Sequence, residues 1–177
     1  MANRLLANIQ SDTWNRLILL TFNWEKFFIF LSMHSMTRNA HLIPELKVLD
    51  YNTSLAFYTK LAGFIILYDR PENDFAMLEK DGARLMIEGL SDKSRCWVVG
   101  QLERPLGRGM HLQIAVRDIQ SLYQHFTSAG YPIFFAIEEK WYRVEDKEIG
   151  HKQFLVQDPD GYLLRFFEEI GVRPFSK

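Results

Sequence analysis

The chain has 177 residues, 47% of them hydrophobic and 24% charged, with a formal net charge of −1. That balance suits one soluble domain or two small fused modules, and it offers no basic field for nucleic acid. The single cysteine, Cys96, excludes an intramolecular disulfide and any cysteine-rich zinc site, and it points to a reducing cytoplasm.

Residues 1–38 differ in pattern from the remainder of the chain. Two apolar bursts, Leu17-Ile18-Leu19-Leu20 and Phe27-Phe28-Ile29-Phe30-Leu31, are split by Asn23, Glu25 and Lys26. A membrane-spanning helix needs about 20 predominantly apolar residues, and a signal peptide needs one apolar block. Neither is expected. We read residues 1–38 as an extension, either an amphipathic arm or sequence upstream of a later start at Met33 or Met36, with the folded domain spanning 39–175.

From Leu42 the pattern becomes regular. The stretch from Leu42 to Val48 alternates as a strand ending at Asp50, and Asn52, Thr53 and Ser54 offer caps for a helix carrying Leu55, Phe57, Tyr58, Leu61 and Ala62. Gly63 stops that helix. Phe64-Ile65-Ile66-Leu67-Tyr68 reads as a buried strand and Phe75-Ala76-Met77-Leu78 as another. Asp81-Gly82 is a hairpin turn before Leu85-Met86-Ile87-Glu88.

The order β-α-β-β-β then returns. Residues 111–116 form a strand ending at Asp118; Leu122, Tyr123 and Phe126 give a helix stripe; Gly130 stops it; Ile133-Phe134-Phe135-Ala136 comes next. Phe154-Leu155-Val156, the turn Asp158-Pro159-Asp160-Gly161 and the strand from Tyr162 to Phe167 close the copy. The second copy is longer, with an inserted loop around 138–152 carrying Trp141, Tyr142 and Arg143. A fixed internal repeat is an organising signal. One such sheet leaves a face uncovered, so two copies are needed to enclose a core. The expected fold is α+β: tandem βαβββ modules at about 42–90 and 109–170, forming incomplete barrel sheets with helices outside.

Val48-Leu49-Asp50, Ser54-Leu55-Ala56-Phe57-Tyr58 with Gly63-Phe64, the strand from His111 to Asp118, and Asp158-Pro159-Asp160-Gly161 carry a resemblance. The chain resembles the vicinal oxygen chelate superfamily, which includes glyoxalase I, extradiol dioxygenases, fosfomycin-resistance enzymes and bleomycin-resistance proteins. It is most similar to the bleomycin-resistance branch. Enzymes of this superfamily hold a divalent metal with His and Glu on paired strands, and the resemblance locates those positions at Ile43, Met86, His111 and Arg165. Isoleucine has no donor atom, methionine's thioether is a poor ligand for a hard divalent ion, and an arginine repels one. Three of four positions therefore speak against a metal enzyme. The alternative is one divalent ion on His111 with Glu88, giving a lyase, isomerase or dioxygenase.

The resemblance instead implies a metal-free, cofactor-free cytoplasmic homodimer. Such a protein sequesters a cationic, partly aromatic small molecule of the bleomycin type in a groove between modules, with no nucleic acid or membrane partner. Residues 89–109 would lie near a module crossover. The expected ligand-binding residues are Glu45, Glu88, Trp97, His111, Phe134, Trp141, Tyr142 and Arg165. Aromatic rings stack on flat ligands, and acidic groups complement cations. Arg165, among apolar neighbours, is expected to need a carboxylate partner, with Glu88 or Glu45 as candidates.

Overall fold

A computed structural model of the protein describes residues 42–90 and 97–176. Residues 1–38 and Cys96 lie outside the described residues. No described helix is long and apolar enough to cross a membrane.

The first module runs β1 (Glu45–Val48), α1 (Tyr51–Ala56, continued by a π turn, Phe57–Leu61), β2 (Ile65–Arg70), β3 (Phe75–Lys80) and β4 (Ala83–Gly89). The second runs β5 (His111–Ala115), α2 (Ile119–Ser128), β6 (Phe135–Val144), β7 (Lys147–Gln157) and β8 (Leu163–Pro174). Each forms a four-stranded sheet, in the order β1-β4-β3-β2 and β5-β8-β7-β6. The first and last strands of each module pair in parallel and the rest antiparallel. The duplicated α+β architecture is therefore as the sequence predicts.

Both helices start on an aspartate. Asp50 Oδ1 accepts from Thr53 N at 3.0 Å, and Asp118 Oδ1 accepts from Ser121 N at 2.9 Å. The first cap is thus Asp50 rather than the Asn52–Ser54 run, which leaves Ser54 free for another bond. Strand alternation sends Leu46, Val48, Leu78, Leu85 and Ile87 of one sheet, and Ile114, Phe154, Val156, Leu164 and Phe166 of the other, into one core with the helices. Phe57 of α1 reaches into the second module, with ring centroids 6.0 Å from Phe126 and 5.2 Å from Tyr131.

Two expectations need correcting. The run after Gly63 is not a buried strand: β2 is an edge strand, with Ile65 58% and Tyr68 50% exposed. The inserted loop is not a loop. It is the long β6–β7 hairpin, turning at Glu145, which takes φ +57. Alternating side chains across 138–144 and 147–153 make both arms competent strands, and charge on the edge strand β6 keeps it soluble.

The turn Asp158-Pro159-Asp160-Gly161 does more than reverse the chain. Asp160, 1% exposed, accepts from Leu49 N at 3.0 Å and Ser54 Oγ at 3.3 Å, both in the first module. It also accepts from Arg104 Nε at 3.0 Å and Nη2 at 2.7 Å, on the connector. Asp158 accepts from Tyr58 Oη at 2.9 Å, and from the backbone N–H of Asp160 and Tyr162. Tyr162 Oη donates to Lys47 O at 3.1 Å. The two buried carboxylates of this turn are thus bonded both within the turn and to other parts of the fold, as burial requires. Gly161 is obligatory on two grounds: φ is +94, and a Cβ there would sit 2.5 Å from Pro105 Cβ.

Candidate functional site

Each sheet turns one face to the helical core and carries polar side chains on the other. On the first sheet that second face bears Glu45, Lys47, Met77, Met86 and Glu88, by strand register. Lys47 bonds to both carboxylates, Glu45 at 3.0 Å and Glu88 at closer range. Lys47 and Glu88 are each 9% exposed. Burial alone would lower the Lys47 ammonium, but its bonds to Glu88 and Glu45 outweigh that and raise its pKa. The ammonium is therefore charged, and it is the cation these glutamates hold. Neither glutamate is the partner of Arg165, because β4 and β8 belong to different sheets and Lys47 lies beside Glu88 in register.

On the second sheet the corresponding face bears Arg165 and Phe167 from β8, Gln153 and His151 from β7, Glu138 and Tyr142 from β6, and Gln113 and His111 from β5. Arg165 lies opposite Gln113 on one side and Leu155 on the other. Its Nε donates to Gln153 Oε1 at 2.9 Å, its Nη2 donates to Tyr142 Oη at 2.8 Å, and its carbon lies 5.1 Å from the Tyr142 ring centre. Gln153, 4% exposed, turns its amide nitrogen to Glu138 Oε1 at 2.7 Å. The expected carboxylate partner is thus an amide and a phenol, with Glu138 one residue further out.

Beside this network His151 lies between two rings, 4.4 Å from Phe167 and 5.4 Å from Tyr142. Its Nδ1 is buried without a hydrogen-bond partner. Burial first, then the nearby Arg165 cation, lowers its pKa, so the imidazole is neutral at neutral pH. His111, Gln113 and Ala115 are exposed along the β5 edge, leaving this face accessible from that side.

Of the eight residues expected to bind ligand, three share this face: His111, Tyr142 and Arg165. Glu45 and Glu88 lie on the other sheet, bound to Lys47. Trp141 points to the opposite side of β6 from Tyr142; it packs over Gly150, and the Arg173 guanidinium lies 4.1 Å from its ring centre. Phe134 is 59% exposed on the rim of an open depression of about 550 Å³, shared with Tyr131, Pro132, Gln157 and Pro159. Trp97 is 74% exposed on the connector. Gln153, His151, Phe167 and Lys47 were not expected. Their signal is strand register, β7 against β8 for the first three and β1 against β4 for Lys47, which residue types alone do not give.

The donor set does not fit a divalent metal. Ile43, Met86 and Arg165 supply no suitable oxygen or nitrogen, Glu88 is engaged by Lys47, and no cluster of three His, Cys, Asp or Glu occurs among the described residues.

Residues 40–166 match the model of the glyoxalase/bleomycin resistance protein/dioxygenase superfamily. The chain belongs to that superfamily. A bleomycin resistance protein from Geobacillus stearothermophilus is 30% identical over 138 residues, covering 72% of this chain and 96% of the relative. A solved superfamily member from Vibrio splendidus 12B01 is 40% identical, covering 72% of this chain and 97% of that one, with a TM-score of 0.34. The fold is shared with TioX from Micromonospora sp. ML1, which is 22% identical with a TM-score of 0.54, covering 75% of this chain and all (100%) of TioX.

Proposed function

We propose that this superfamily member is a metal-free binding protein that captures a partly aromatic small molecule on the accessible face of its second sheet. One observation carries the reading. Arg165, fixed by Gln153 and Tyr142, stands at the position where the resembling metal enzymes keep a glutamate. The rings of Tyr142, His151 and Phe167 surround it with flat, half-buried surface of the kind aromatic ligands stack on. Bleomycin, for resistance to which the relatives are named, is the first ligand to test. The cationic character first expected of the ligand has no support on this face, because Glu45 and Glu88 lie on the other sheet, both bonded to Lys47. We also read the protein as a homodimer, a reading supported by the apolar side chains exposed on edge strand β2; sedimentation that gives only a monomer refutes it.

Calorimetric titration of chelator-treated protein with bleomycin and with the neutral ring compound 2-naphthamide tests the binding reading. Binding should persist after metal removal, and Phe167→Ala should weaken it roughly tenfold through lost ring contact. A stoichiometric metal whose removal abolishes binding would overturn the proposal.

A further inference from the structure

A half-buried guanidinium on a sheet face ordinarily meets a carboxylate. Arg165 does not. Its Nε and Nη2 are held by Gln153 Oε1 and Tyr142 Oη, both neutral. Its Nη1 has no hydrogen-bond partner among the described residues. The one buried side-chain nitrogen or oxygen without a partner there is His151 Nδ1, so Nη1 is not sealed from solvent, and Arg165 as a whole is half-buried. Glu138 is kept off the guanidinium by the amide of Gln153, whose nitrogen donates to it at 2.7 Å. The arrangement orients the cation without cancelling its charge. An arginine fixed in this way presents N–H donors in the geometry of an oxyanion.

We propose that the ligand is a planar aromatic acid. Its carboxylate sits on the Nη1 edge of Arg165, and its ring lies against His151 and Phe167. This rests on the reading that the face binds a partly aromatic compound, and it adds the charge of that compound. Neutral His151 contributes a flat ring beside Phe167, at 4.4 Å.

The test is calorimetric titration of the full chain with 2-naphthoate and with its neutral isostere 2-naphthamide. The acid should bind roughly tenfold or more tightly than the amide, as a charge-assisted hydrogen bond provides. That preference should vanish in Arg165→Gln and survive in part in Arg165→Lys. Gln153→Glu should also abolish it, by placing a carboxylate against the guanidinium. Equal affinity for acid and amide, or a preference that survives Arg165→Gln, overturns the assignment while leaving the binding reading intact. Failure of both probes where bleomycin binds overturns the acid assignment alone; failure of all three overturns both.

Discussion

Asp160 is the residue whose removal tests the architecture most directly. As a surface turn residue it would matter little, and a change there would cost within about 0.5 kcal/mol. In the structure it is 1% exposed and accepts from Leu49 N, Ser54 Oγ and Arg104. Asp160→Ala strands the buried Ser54 hydroxyl and the part-buried Leu49 N–H in the first module, each costing about 1–3 kcal/mol. Loss of the Arg104 pair adds at most about 1 kcal/mol, because that arginine side chain is 55% exposed. The expected destabilisation is about 3–5 kcal/mol, a large share of a domain's usual stability. Urea unfolding followed by far-UV circular dichroism reads it as a lower midpoint at unchanged slope. Arg104→Ala alone should lose no more than about 1 kcal/mol. A loss below about 1 kcal/mol for Asp160→Ala would refute the view that this turn ties the modules together.

Two further predictions concern buried charge. Burial raises the Asp158 pKa to about 6, against hydrogen bonds from Tyr58, Tyr162 and Asp160 that lower it. The fold therefore holds this proton more tightly than the unfolded chain does. Its contribution is fully present below the ordinary carboxylate range and is lost as pH rises through about 6. The stability advantage of wild type over Asp158→Asn should shrink by roughly 3 kcal/mol across that window, read from urea midpoints at successive pH values; a flat or growing advantage contradicts it. Lys47→Met leaves Glu88 buried without its cation and should cost about 3–5 kcal/mol, whereas Glu45→Gln, a more exposed partner, should cost about 1. Comparable losses for the two would show that Glu88 does not depend on Lys47.

Much of the fold was legible because it is written twice in local chemistry. Asp50 and Asp118 each cap a helix, Gly63 and Gly130 each end one in the left-handed conformation, and Asp81-Gly82 and Asp160-Gly161 each join the last two strands. What sequence could not supply was depth and register. Ile65 and Ile66 have the composition of a buried strand, yet β2 forms a sheet edge, and nothing in a local run says which strand has no neighbour. The polar stretch around Trp141 reads as a loop because its charge masks the alternation of a two-faced hairpin. Trp141 and Tyr142, adjacent and chemically alike, fall on opposite faces for the same reason.

The site divides in the same way. Arg165 is conspicuous in sequence, since a cation among Leu163, Leu164, Phe166 and Phe167 demands a partner. The rule that such a charge is paired pointed to Glu88 and Glu45, and it failed for a physical reason. Those glutamates already surround Lys47 on the first sheet, whereas Arg165 meets the residue that β7 sets next to its neighbours, Gln153. An amide partner has a consequence that a carboxylate would not. It fixes the guanidinium plane through Oε1, holds Glu138 away through its nitrogen, and leaves positive charge at a solvent-reached edge beside three rings. A closed ion pair in that place would contribute to the fold alone. An oriented but uncancelled cation has free energy still to gain from an anion, and no carboxylate among the described residues bonds to it.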